Sequence, residues 1–151
     1  MKIEFEQIGV IRNDITEKKD TSWGSDISQI ILDERYEQGL FGLSEFSHLI
    51  VIYYLDRASF DMQSHLVRRP QNRVDMPVVG ILSQRAKDRP NPIGMTAVKI
   101  ERIDGNIVTV KGLDAIDKTP VLDIKPYYPM YDCKVEAVVP EWVNRLMEHY
   151  F

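Results

Sequence analysis

The sequence predicts a mainly β fold: a small, mostly antiparallel β-barrel with a few short peripheral helices and a C-terminal helix. Three observations predict it. Ser47–Leu55 (S-H-L-I-V-I-Y-Y-L) is an unbroken run of β-branched, aromatic and aliphatic residues. Asp104-Gly105-Asn106 separates two apolar segments and is a strong hairpin signal. Helical periodicity is clear only near the C-terminus. Several strands with few helices between them favour a sheet closed on itself.

In chain order, Ile3–Arg12 is rich in β-formers and reads as the first strand. Residues 13–27 are polar and read as a mobile loop. Trp23-Gly24 inside it is either a surface anchor or part of a lid. Gln29–Leu32 and Ser47–Leu55 read as strands, and Glu34–Leu43 as a short helix or turn interrupted by Gly39 and Gly42. Residues 59–70 hold a possible helix ended by Pro70. Pro77–Leu82 reads as a strand. Val98–Ile103 and Ile107–Val110 form the arms of the hairpin, with Val108 and Val110 alternating as a half-buried strand requires. Val121–Lys125 is a further strand, closed by Pro126. Pro140 suits a helix start, and Trp142, Val143, Leu146, Met147 and Tyr150 form one apolar stripe that caps the core or meets a partner subunit.

With 151 residues, 44% of them hydrophobic, the chain suits a single domain over 1–151. Its net charge of −4 argues against a general nucleic-acid binder. One cysteine, Cys133, excludes a disulfide framework and a multi-Cys metal site. No apolar run reaches transmembrane length, the longest being Leu49–Leu55. The opening M-K-I-E-F-E lacks the apolar core of a signal peptide, so a cytoplasmic location is expected.

Chemistry concentrates in two segments. In Arg85–Gly94 (R-A-K-D-R-P-N-P-I-G), Pro90 and Pro92 fix their own φ and push Arg89 and Asn91 toward extended conformations. The run reads as a rigid loop displaying Arg85, Arg89 and Asn91 as donors. Such a loop loses little ordering entropy on binding an anionic or heteroatom-rich small molecule. Asn91 alone reads equally as a turn residue bonded to backbone. In the second segment, Asp117-Lys118-Thr119-Pro120 is a turn-like tetrad, and Asp123 and Lys125 share one face of the strand that follows. That pair is either an exposed ion pair or the lining of a site. Tyr127 and Tyr128 either stack on a base or finish the core.

Rossmann, Walker and nucleophile-elbow motifs are missing, and His48, His65 and His149 lack metal-ligand spacing, so no metal is expected. His48, within an apolar strand, reads as a hydrogen-bonded structural histidine. Arg68, Arg69, Arg73, Arg85, Lys87 and Arg89 are candidate phosphate contacts or a solvated charged face.

Four blocks of the chain resemble the TsaA/TrmO-like family: Ile8–Arg12 (I-G-V-I-R), Gly42–Leu49, Gly80–Gly94 and Asp117–Tyr127 (D-K-T-P-V-L-D-I-K-P-Y). They span nearly the whole chain in the family's order. The resemblance implies a β-barrel that binds S-adenosylmethionine, dimerises with cofactor sites near the subunit interface, and methylates N6 of threonylcarbamoyl-adenosine beside the tRNA anticodon. It implies cofactor contacts at Leu55, Asp56 and Arg57, at Arg85, at Met95 and at Asp117, Lys118, Thr119 and Pro120. The chain resembles a short form without the extra C-terminal domain. It departs from the family pattern at Lys118, where glycine is usual, at Asp56, where many members carry histidine, and at Leu82, where phenylalanine is usual.

Methyl transfer from a sulfonium needs mainly in-line positioning. An amide-like N6 is a weak nucleophile, so a carboxylate that takes its proton helps. Asp123 is the candidate base, with Lys125 and Tyr127 positioning the substrate and Arg85 holding the cofactor. Arg89 and Asn91 brace the loop or its dimer mate. Two alternatives stay open: methylation of a small metabolite, and a non-enzymatic nucleotide-binding or regulatory barrel.

Overall fold

The computed structural model describes residues 1–151. Eight strands form: β1 (Gly9–Arg12), β2 (Ile27–Leu32), β3 (His48–Tyr54), β4 (Val67–Arg68), β5 (Val79–Gly80), β6 (Ile93–Asp104), β7 (Ile107–Lys111) and β8 (Pro120–Pro126). Six of them close into a barrel in the order β1-β2-β7-β6-β3-β8, with every neighbouring pair antiparallel. Closure removes the exposed edges that so much unpaired backbone would otherwise present. The β6–β7 turn is built at Gly105, whose φ of +58° suits a residue without a Cβ.

Alternation decides what fills the barrel. Leu49, Val51 and Tyr53 of β3 point inward, as do Thr96 and Val98 of β6 and Val108 and Val110 of β7. With Ile11, Ile30, Leu32, Leu113, Ala115 and Val121 the apolar members form one core cluster. Each fully buried aliphatic side chain contributes about 1.5–3 kcal/mol relative to exposure. The outward phase of the same wall is also apolar: Ile50, Ile52 and Tyr54 on β3, beside Ile93, Met95 and Ala97 on β6.

β8 breaks its alternation once. Ile52 pairs with Asp123 and Tyr53 with Val121, so Leu122 is a bulge residue without a partner. Val121 stays in the core and Ile124 packs against it, while Asp123 and Lys125 face outward. An uninterrupted strand would have placed Asp123 in phase with buried Val121.

Short helices fill the periphery: 3-10 turns at Glu34–Leu40, Leu43–Glu45, Pro70–Asn72 and Ile81–Ser83, with α1 (Met62–His65), α2 (Pro129–Asp132) and α3 (Glu141–Met147). Several expected elements are shorter than their sequence signals. The first strand begins only at Gly9, because Ile3 and Phe5 have no strand to pair with and stay exposed. The helix expected within 59–70 shrinks to α1, capped by Asp61. Pro77–Leu82 supplies only β5, which pairs with β4 outside the barrel. There the buried Gln84 amide donates to the carbonyls of Arg68 and Val79, at 3.0 and 3.3 Å, in place of a longer ladder.

The 13–27 segment is tied rather than loose. Asn13 donates through Nδ2 to Ser28 Oγ and the Ala115 carbonyl, both at 2.9 Å. Trp23 is 3% exposed, so it is an internal anchor and neither a surface anchor nor an open lid. Its indole N–H donates to the Lys19 carbonyl at 3.2 Å, and the Lys19 ammonium lies 4.7 Å from the ring centroid. The α3 stripe is half-buried at Trp142, Val143, Leu146 and Tyr150. Beyond α3, the His149 and Tyr150 carbonyls accept hydrogen bonds from the Ser22 and Trp23 amides, each at 2.8 Å.

Candidate functional site

One end of the barrel gathers segments distant in sequence. It holds the end of β3, the start of β6, the end of β7 and the start of β8. Leu55, Asp56 and Arg57 follow β3 there. The Leu55 amide donates to the Pro92 carbonyl at 2.8 Å, joining this turn to the proline loop. Arg57 donates to the Thr16 carbonyl at 3.1 Å. The Asp117–Thr119 turn closes on β1: the Lys118 amide donates to the Ile11 carbonyl at 2.7 Å, and the Asn13 amide donates to Asp117 Oδ1 at 3.1 Å. Thr119 is buried and Pro120 opens β8 opposite Val10. Lys118 has φ +69°, so a β-carbon sits where a left-handed turn favours glycine. The turn still closes on β1 with lysine in that position.

The proline loop is braced from within. Arg89 donates to the Gln84 carbonyl at 3.2 Å, while Asn91 is exposed and its carbonyl accepts from the Ile93 amide at 2.8 Å. Asp88 accepts from the Ser59 amide at 3.0 Å and from the Lys87 ammonium at 2.6 Å, with Arg68 at 3.6 Å. Burial pushes the Asp88 carboxyl up, but Lys87, the Ser59 amide and Arg68 outweigh it and hold it below its ordinary 3.8. A carboxyl depressed on folding stabilises fully above its unfolded value and loses that contribution as pH falls through the lower folded value. Asp88→Asn is therefore expected to melt roughly 3 °C lower than wild type at pH 7. The gap closes as pH drops below 3.8, read by thermal denaturation across pH.

Arg85 is exposed and donates to the Met95 carbonyl at 2.6 Å. That one bond leaves most of its five N–H donors directed elsewhere. The Met95 side chain, 51% exposed, lies on the outer wall beside Ile52, its partner on β3. Ile52 also pairs with Asp123. Met95, Ile52 and Asp123 thus form one outward row, with Asp123 about 10 Å from Met95 across two strand spacings. Asp123 accepts from Lys125 at 2.5 Å and from the Ile124 amide at 2.8 Å. The carboxylate raises Lys125 above its ordinary 10.5, so that side chain stays cationic. Tyr127 is four residues further along, roughly 13 Å down the strand. It lies at the opposite barrel end beside His48, with ring centroids 6.4 Å apart. The structure thus brings together the expected cofactor set and Asp123, and leaves Tyr127 apart from them. Tyr128 stacks on Phe46 with centroids 5.8 Å apart, and neither Tyr127 nor Tyr128 joins the core. His48 is exposed and bonds Ser47 Oγ through Nδ1 at 2.7 Å.

Each candidate phosphate-contacting cation has an intramolecular partner. Arg68 and Lys87 face Asp88, Arg73 pairs with Asp75 at 2.6 Å, and Arg69 donates to the Met76 carbonyl. Arg85 and Arg89 hold backbone carbonyls.

Behind the outer row, on the lumen side, sits a polar cluster that sequence reasoning missed. Asp114 accepts from Tyr53 at 3.0 Å, from Tyr150 at 2.7 Å and from Thr96. Burial, and then the Asp114 charge, push both tyrosine hydroxyls up, so they remain donors at working pH. Gly94 makes room for one of them: a Cβ there would lie 2.2 Å from Tyr53 Cε2 and 2.4 Å from Cζ. The available signals were weak: a tyrosine in an apolar strand and a threonine in phase with Val98.

Comparison with known proteins decides the family. The profile of the tRNA-methyltransferase O N-terminal domain matches residues 13–133. The chain belongs to the tRNA-methyltransferase O family. A crystal structure of TrmO from Pseudomonas aeruginosa superposes with a TM-score of 0.76 at 26% identity, covering 94% of this chain and 62% of that one. A probable S-adenosyl-L-methionine-binding protein of Pyrococcus abyssi is 35% identical over 150 residues, covering 96% of this chain and 78% of the relative. A tRNA (adenine(37)-N6)-methyltransferase of Mus musculus is 41% identical over 96 residues, covering 64% of this chain and 22% of the mouse protein. Within the tRNA-methyltransferase O family, the chain thus spans under two thirds of the Pseudomonas TrmO structure and about a fifth of the mouse enzyme. No helix is long and apolar enough to cross a membrane.

Proposed function

We propose that this chain is an S-adenosylmethionine-dependent methyltransferase of the cytoplasm that acts on tRNA, at N6 of threonylcarbamoyl-adenosine beside the anticodon. The observation that carries the reading is the convergence of Leu55–Arg57, Arg85, Met95 and Asp117–Pro120 at one barrel end, next to a row containing Asp123. The relatives named for S-adenosylmethionine binding and for tRNA adenine methylation support it.

The donor set fits the cofactor. Arg85 offers N–H groups to a carboxylate or hydroxyl, and the exposed Met95 side chain offers a flat apolar contact for an adenine ring. The Asp117–Thr119 turn, held to β1 by backbone bonds, supplies polar groups in a fixed conformation. When bound, S-adenosylmethionine supplies a methyl group already activated by positive sulfur. The chain's own work is then to orient the acceptor nitrogen and take its proton. Asp123 is the proposed proton acceptor. Lys125, kept cationic by Asp123, holds negative charge on the acceptor, and Tyr127 contacts a more distant part of it. The chain is further proposed to work as a homodimer through the exposed apolar wall formed by Tyr54, Ile93 and Met95, next to the cofactor set.

The test is incubation with methyl-labelled S-adenosylmethionine and tRNA that carries threonylcarbamoyl-adenosine without its N6-methyl group. Label is expected in tRNA and not in tRNA lacking the threonylcarbamoyl group. Label entering only a small-molecule extract would replace tRNA with a metabolite, a reading favoured by the internally engaged cations and the net charge of −4. Cofactor binding with no transfer to either would make the barrel a non-enzymatic binder.

A further inference from the structure

Asp114 has no ion-pair partner. Three hydroxyls, from Tyr53, Thr96 and Tyr150, hold its carboxylate at the barrel mouth. Asp114 is half-buried, and three hydroxyl donors converging on one carboxylate tie together parts of the chain that packing alone would leave independent.

Its connections run in two directions. Thr96 directly follows Met95, whose carbonyl accepts the Arg85 hydrogen bond at 2.6 Å. Fixing Thr96 from the lumen fixes the peptide on which Arg85 is anchored outside. Tyr53 faces Gly94 across the β3–β6 pair and fills the space a Cβ would take, so it sets the same stretch of β6. In the other direction Tyr150 belongs to the segment after α3. That segment is bound by backbone to Ser22 and Trp23, and its Phe151 lies so close to Gly24 that a Cβ there would stand 2.7 Å from the Phe151 carbonyl carbon. One carboxylate joins the start of β6 to the segment after α3.

We infer that Asp114 is a positioning residue for the Arg85 site, and that Tyr150 acts through it to hold the Met95 carbonyl and the Arg85 guanidinium in their binding geometry. The inference rests on the reading of Arg85 as an S-adenosylmethionine contact. It gives the C-terminal segment a part in cofactor affinity without touching the cofactor.

The experiment is calorimetric titration of the full chain with S-adenosylmethionine at 25 °C, beside thermal melts without ligand. Tyr150→Phe removes one hydroxyl and keeps the ring. It is expected to raise Kd by about threefold to tenfold, measured far below a melting temperature that moves little. Asp114→Asn is expected to raise Kd more, and Tyr150→Phe stands alone if that variant fails to fold. The deciding measurement is a double-mutant cycle with Arg85→Ala. A residue acting through Arg85 has a clearly smaller effect on Kd once the guanidinium is gone, the remainder being what it exerts through Met95. Additive effects in the cycle, or an unchanged Kd for Tyr150→Phe, would overturn the inference while leaving the Arg85 reading intact. Wild type that binds no S-adenosylmethionine, or Arg85→Ala that binds as wild type does, would remove the Arg85 reading and this inference with it.

Discussion

Gly94→Ala is expected to destabilise the protein by about 3 kcal/mol, lowering Tm by roughly 10 °C. The added Cβ would meet three atoms of the Tyr53 ring, at 2.2, 2.4 and 2.8 Å, inside a closed barrel. The ring is packed on the core and cannot swing away as a flexible chain end would. Moving it also breaks the hydroxyl bond to Asp114, so the penalty combines overpacking with an unpaired buried polar group. The cause is tested by rescue. Tyr53→Leu removes Cε2 and Cζ, the two atoms in closest conflict, so Gly94→Ala should cost much less in that background, by chemical denaturation of the single and double variants. An equal cost in both backgrounds would show that the clash is not with Tyr53.

Arg85→Ala should weaken S-adenosylmethionine binding at least tenfold while leaving the melting temperature near that of wild type. A hydrogen bond to a charged group contributes about 1.5–3 kcal/mol, which corresponds to roughly tenfold to a hundredfold in affinity. Stability is spared because the side chain is exposed and makes one hydrogen bond, to the Met95 carbonyl, which water can replace. Titration calorimetry on both proteins measures the change. An unaltered affinity would place the cofactor contact elsewhere on the mouth.

What was legible in the sequence was local. The apolar run through β3 reads directly as a strand because β-branched and aromatic residues suit a pleated, buried surface. The β6–β7 hairpin is announced by Asp104-Gly105-Asn106, and the stiffness of Arg85–Gly94 by its prolines. The expected cofactor residues come together because Leu55–Arg57 follow β3, Met95 lies near the start of β6 and Asp117–Thr119 precede β8 at the same rim, while Arg85 reaches it through the Met95 carbonyl. What depended on closure was not legible. Tyr53, Thr96, Asp114 and Tyr150 are spread over nearly a hundred positions, and no spacing rule links them. Trp23 looked like a surface residue because its neighbours are polar, yet it is buried beside the segment that follows α3. Ile3 and Phe5 looked like strand residues, but a strand exists only where a partner can pair with it.

The unpaired Leu122 divides the vocabulary of β8 in two. Before it, the strand is written for the inside, and a change at Val121 is read by the core. After it, Asp123 and Lys125 are written for the outside, where the barrel is indifferent to them. Side chains on that row can therefore change in charge and shape without repacking the core, so the outer face of β8 can diverge while the barrel beneath it stays the same.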